Sequence, residues 1–206
     1  MYKRQSVDQV WLDFADEMMP IEINQFKLNN SEVHYRDFHT HPKIDLFLNK
    51  IYAEAQNLGT VEDTTKVLPA TAKMTANMYG GSLVVNAKLN IFNKNIPDFD
   101  ANVKINNLPL PYLNNFTQAH AKMDIEKGWF TAYVEAAAKN GQLKGYAKLF
   151  VKELDVIDKK EAKGMRFKDQ VNESLVEAAA WILKNKKTGK IATKVKFEGK
   201  LTDPNI

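Results

Sequence analysis

The side chains able to do chemistry are few, and their spacing argues against a catalytic centre. His39-Thr40-His41 has chelating spacing, yet no third ligand follows at a useful distance along the chain, so a solvated loop is the reading. His34 lies in phase with Glu32 and Arg36 and is expected on the wet side of a strand, while His120 stands alone. Asp98 and Asp100 alternate onto one face and form the only carboxylate pair that suggests hydrolysis, which makes a hydrolase of envelope glycans the enzyme alternative. A glycosidase pair needs a cleft and an acid of raised pKa, and the same face carries Asn102 and Lys104, so solvation is the stronger reading. Gly80-Gly81 lacks the Lys-Ser/Thr of a phosphate loop. No serine sits in a nucleophile elbow. The expectation is a protein with no catalytic residues, no metal and no cofactor.

Lysines 184, 186, 187, 190, 194, 196 and 200 make a basic stretch whose single aromatic is Phe197. Such a run suits anionic lipid or nucleic acid. Lys194 and Lys196 fall on the wet phase of a strand, so a solvated edge that discourages sheet-to-sheet pairing is preferred, and no nucleic-acid partner is expected.

The elements that would position these groups are mostly strands. Alternation dominates: Ala72, Met74, Ala76 and Met78 in 71–78; Leu83, Val85, Ala87, Leu89 and Ile91 in 81–92; Phe99, Ala101, Val103 and Ile105 in 98–106; Leu143, Gly145, Ala147, Leu149 and Val151 in 143–152. One dry and one wet face on each strand is the pattern of antiparallel sheet. Gly80-Gly81 and Asn140-Gly141 are two-residue hairpin signals, and Asn29-Asn30 is read as a turn between strands 21–28 and 31–38. Further strands fit 121–139, 142–157 and 191–198, with about one helical turn between Pro109 and Thr117. Amphipathic helices are expected over 6–19, with Ser6 and Gln9 at capping-box spacing and Pro20 as the stop, and over 167–184. Residues 39–70 give no firm pattern.

The dry faces are the informative feature. At roughly 3.3 Å per residue, a strand of about 12 residues spans about 40 Å, enough to lie along an acyl chain. Burial of each large apolar side chain contributes roughly 1.5–3 kcal/mol, so such a face is covered by something. Leu83, Val85, Leu89, Phe99, Val103, Ile105, Leu143, Leu149 and Val151 are the expected lining of one continuous surface for lipid. The alternative is a structural or protein-interaction β module in which these residues close a core.

The 206-residue chain has no cysteine, which removes disulfide scaffolds and thiolate chemistry together. Its 44% apolar and 26% charged residues place it among ordinary globular proteins. No run approaches the roughly 18 consecutive apolar residues of a membrane-spanning helix. Met1-Tyr2-Lys3-Arg4-Gln5 looks like a translated sequencing-transposon end and is read as non-native. Without Lys3 and Arg4 the net charge of +4 becomes 4 − 2 = +2, which weakens any inference from the basic balance.

The run Phe150-Val151-Lys152-Glu153-Leu154-Asp155-Val156-Ile157-Asp158 resembles a strand segment of AsmA-like bacterial envelope proteins, in a branch known only as a domain of unknown function. The order that follows is similar to the same family: Trp181-Ile182-Leu183-Lys184-Asn185, then Ile191-Ala192-Thr193-Lys194-Val195 and Phe197-Glu198-Gly199. So are Met19-Pro20-Ile21-Glu22-Ile23 and Val33-His34-Tyr35-Arg36-Asp37, and the likeness spans most of 18–204. It implies a long curved β groove anchored in the inner membrane, exposed to the periplasm, and linked to lipid movement and outer-membrane integrity. The expected partners are phospholipid or another acyl-chain lipid and other envelope proteins. The expectation is therefore a single AsmA-like region over 6–206, truncated at both ends. Its fold is a mainly β, antiparallel meander of eight or nine strands with two flanking helices.

Overall fold

The structure, a computed structural model, describes residues 22–59, 67–90, 97–121, 123–157, 190–201 and 203–205. Nine strands follow one another along the chain: β1 (Glu22–Asp37), β2 (Ile44–Gly59), β3 (Ala70–Met78), β4 (Gly81–Asn90), β5 (Asp98–Pro109), β6 (Asp124–Lys139), β7 (Gln142–Ile157), β8 (Lys190–Lys200) and the short β9 (Asp203–Asn205). Each pairs antiparallel with the next, in the order β1-β2-β3-β4-β5-β6-β7-β8-β9. The sheet is open among the described residues. The expected antiparallel meander is therefore present. Both expected amphipathic helices, 6–19 and 167–184, lie outside the described residues. The helical turn expected after Pro109 is a 3-10 turn, Leu110–Leu113, running into α1 (Asn114–Ala121).

Two turns are set by residues able to take positive φ. Asn140 (φ 50) and Gly141 (φ 74) form the expected two-residue turn between β6 and β7. Between β3 and β4 the turn is Tyr79 (φ 53) and Gly80 (φ 87), one residue earlier than the Gly80-Gly81 signal suggests. Gly81 instead opens β4 because nothing larger fits: a Cβ there would lie 2.6 Å from the Asn106 carbonyl oxygen and 2.8 Å from that of Asn107.

A tyrosine at positive φ is unfavourable, and its side chain supplies what offsets it. The Phe47 N–H donates to the Tyr79 hydroxyl at 3.0 Å. The Tyr79 ring packs edge-on to Phe47 at 4.7 Å and stacks on Tyr112 at 5.1 Å. β2 runs on past the last residue of β3, and this phenol occupies part of the backbone edge left without a neighbour.

The turn expected at Asn29-Asn30 is not a turn. β1 is one 16-residue strand, and its hairpin partner is β2. Asn30 (φ 50) is an extra residue in β1, and Lys50 (φ 50) is an extra residue in β2. The two bulges cancel, so the register after them equals the register before. Similar compensation occurs between β6 and β7, where Glu153 (φ 52) falls within the second shift.

The helical segment docks by polar bonds on β6. Asn114 Nδ2 donates to Asp124 Oδ1 and to the Ile125 carbonyl, both at 2.9 Å, and its Oδ1 accepts from the Ile125 N–H at 2.9 Å. Leu110 lies against Gly128, where a Cβ would stand 3.0 Å from Leu110 Cδ1.

Gly81→Ala is expected to lower stability by about 1–3 kcal/mol, because the obstructing atoms are backbone rather than flexible side chain. Urea denaturation followed by circular dichroism checks this. A midpoint equal to wild type would show that β4 and β5 can separate at no cost.

Candidate functional site: the apolar face of the sheet

Direct cross-strand partners point to the same side of a sheet, so the register assembles the site. Leu83 pairs with Ile105, Val85 with Val103 and Leu89 with Phe99. Ile105 pairs in turn with Ala132 and Phe99 with Ala138. Those residues pair with Leu149 and Leu143. All of these expected lining residues share one face, as does Val151, opposite Phe130. Eight of the nine are half-buried, whereas Val151 is buried with 2% exposure.

The rows differ in side-chain size. One reads Met74, Val85, Val103, Val134, Ala147 and Val195 across β3 to β8. Beside it runs Ala55, Ala72, Ala87, Ala101, Ala136 and Gly145 across β2 to β7. On its far side lie Ala70, Leu89, Phe99, Ala138 and Leu143. The row of small side chains therefore lies between two rows that include larger ones. With strands about 4.8 Å apart, the row from β2 to β7 is about 24 Å long. At one end the Phe197 ring sits on Gly145, where a Cβ would come within 2.5 Å of Phe197 Cε2. At the other, Phe26 stands opposite Ala55 and is exposed. The β6 residues and the alanine row were absent from the expected lining. The signal was the alternation of Phe130, Ala132, Val134, Ala136 and Ala138, muted because alanine is weakly apolar.

The opposite face carries the polar groups. Asp98 is buried (7% exposed), and its Oδ1 accepts from the Asn140 N–H at 2.7 Å, so it caps the β6–β7 turn. Asp100 is exposed and paired with Lys88 across the strands. His39 and His41 lie in an exposed bend, and His120 tilts against Phe116. Among the described residues no group of histidines and carboxylates is arranged to hold a metal.

His34 is more than a solvated histidine. Its Nδ1 lies 2.6 Å from Asp45 Oδ1 and its Nε2 2.7 Å from Glu32 Oε1, while its ring stacks on Phe47 at 5.4 Å. Arg36 Nε donates to Asp45 Oδ2 at 3.1 Å. The carboxylates of Asp45, then Glu32, raise the imidazole pKa above its usual value, and the bond from His34 holds Asp45 below its own. Only the imidazolium has two N–H groups to serve both acceptors. The arrangement is a charged clasp between β1 and β2.

No family model, curated protein or solved structure matches the chain. Among the described residues no helix is long and apolar enough to cross a membrane.

Because the folded pKa of His34 is raised, its contribution to stability is complete below the unfolded value near 6.5 and is lost as pH rises through the folded value. The stability difference between wild type and His34→Gln is therefore expected to shrink from pH 5.5 to pH 8.5. Parallel urea titrations measure it, and a difference that grows with pH contradicts the clasp.

Proposed function

We propose that this chain is a non-enzymatic part of an AsmA-like envelope protein whose apolar sheet face holds the acyl chains of lipid. The supporting observation is the continuity of that face from β2 to β8, with an alanine row between bulkier rows and middle positions that are half-buried rather than sealed. Extended apolar chains have no hydrogen-bonding demands, so a row of methyl groups suits them without polar anchors.

The lining is Leu83, Val85, Leu89, Phe99, Val103, Ile105, Leu143 and Leu149, to which the register adds Ala87, Ala101, Val134 and Ala136. Val151 is assigned to packing, since it is nearly inaccessible. The residue likeness over 147–199 and the meander order support a periplasmic location, inner-membrane anchoring, and a role in lipid transport or outer-membrane integrity. Phospholipid is the proposed partner, with other envelope proteins as further partners.

Native mass spectrometry of the extracted chain, wild type beside Val103→Asp, tests this reading. Wild type is expected to carry co-purified phospholipid. The variant is expected to keep its β circular dichroism and lose the lipid, because a carboxylate on an open face can reach solvent. In a closed core the same charge would be buried without a partner and would unfold the sheet. Lipid-free wild type, or unfolding of Val103→Asp, contradicts the proposal and favours a structural or protein-interaction module.

A further inference from the structure

Charge is distributed unevenly over the polar face. Toward β1 and β2 it is paired: Lys27 with Glu54 at 4.0 Å, Arg36 with Asp45 at 3.1 Å, and His34 with Glu32 and Asp45. From β5 to β8 the same face carries Lys104, Lys148, Lys152, Lys194 and Lys196, all exposed, alongside the exposed carboxylates Asp100, Glu135 and Glu198. Among the described residues none of these forms an ion pair. Three of the five lie over aromatic rings. Lys104 Nζ lies 5.3 Å from the Tyr133 ring, and Lys148 and Lys194 lie 5.3 and 4.2 Å from that of Tyr146. Trp129, opposite Lys152, is 44% exposed, and Tyr133, opposite Lys148, is 38% exposed. Glu135 stands opposite Tyr146, whose phenol pKa it raises.

One pairing is costly. Lys148 and Lys194 are direct cross-strand partners, a placement in which like charges destabilise a sheet. Lysines that merely protect an edge are needed on β8 alone, and they do not account for Lys148 and Lys152 on β7 or Lys104 on β5. A bound anionic surface accounts for all five.

We propose that the β5–β8 part of the polar face docks on an anionic lipid bilayer, its lysines meeting headgroup phosphates and its Trp129 and Tyr133 rings entering the interface. Interfacial sites characteristically combine tryptophan and tyrosine with lysines whose stems lie on apolar surface. Single-stranded nucleic acid requires free aromatic faces on which bases stack. Here lysine ammoniums lie against Tyr133 and Tyr146, and Tyr133 meets Phe150 edge-on at 5.9 Å. This inference uses the face opposite the proposed acyl-holding rows, so it can fail while the lipid-holding reading stands, and the reverse.

The test is co-sedimentation of the full chain with phosphatidylcholine vesicles, with and without phosphatidylglycerol. Binding is expected only with phosphatidylglycerol, falling steeply with added salt. Each lysine neutralised is expected to weaken it about fivefold, so Lys148→Gln with Lys194→Gln should cost about 25-fold. The double variant Lys73→Gln with Lys88→Gln removes the same charge from β3 and β4 and should bind within a few-fold of wild type. Lys148→Glu separates docking from folding: it replaces a repulsive pair by an attractive one, so thermal stability should hold or rise while vesicle binding falls. Equal binding to both vesicle types, equal losses in the two double variants, or displacement of the vesicles by a single-stranded oligonucleotide overturns the proposal.

Discussion

Backbone hydrogen bonding between sequential strands sets everything else in this molecule. Each strand is paired only with its chain neighbours, and between β3 and β8 the ladders are nearly free of shifts apart from those near one end of β5 to β7. A one-residue slip anywhere would move every later side chain to the other face. The turns at Tyr79-Gly80 and Asn140-Gly141 therefore do more than reverse the chain. They fix which face receives valine and which receives lysine. Where extra residues enter, at Asn30 and Lys50, they come in offsetting pairs, and the two faces stay distinct along the 16-residue strands.

That constraint explains why much of the fold was legible in the sequence. β3, β4, β5 and β7 alternate over most of their length, and β7 spans the expected 142–157. β2 was illegible for a physical reason. Leu46 and Leu48 precede the Lys50 bulge while Ile51, Ala53 and Ala55 follow it, so the period-2 signal changes phase in mid-strand. Asn29-Asn30 misled because a hairpin turn and a bulge call for the same residue types, those that tolerate positive φ. The lining of the apolar face was legible on three strands, β4, β5 and β7, and was missed on β6, where alanine carries much of the pattern. The capping of the Asn140 turn by Asp98 joins residues 42 apart in sequence, and no local pattern announces it.

The two faces of the sheet are chemically opposed. One presents methyl and isopropyl groups in rows that include a row of alanines. The other presents lysine and aromatic rings on β5 to β8 and neutralised pairs on β1 and β2. A sheet folded for stability alone would gain from sealing the first face and from breaking up the Lys148–Lys194 repulsion on the second. The proposed lipid contacts, acyl chain on one side and headgroup surface on the other, would account for both features together. The aromatic line His34, Phe47, Tyr79 and Tyr112 ties β1, β2, the β3–β4 turn and the 3-10 turn together at one end of the sheet.

The account turns on acyl chains meeting one face and not the other. Photolabelling of the chain with a diazirine-bearing fatty acid, followed by peptide mapping, reads this directly. Adducts are predicted on Ala87, Ala101, Val103 and Ala136 and their row neighbours, with their flanking polar-face residues Asn86, Asn102 and Glu135 unlabelled. Adducts spread evenly over both faces, or confined to the polar one, would contradict it.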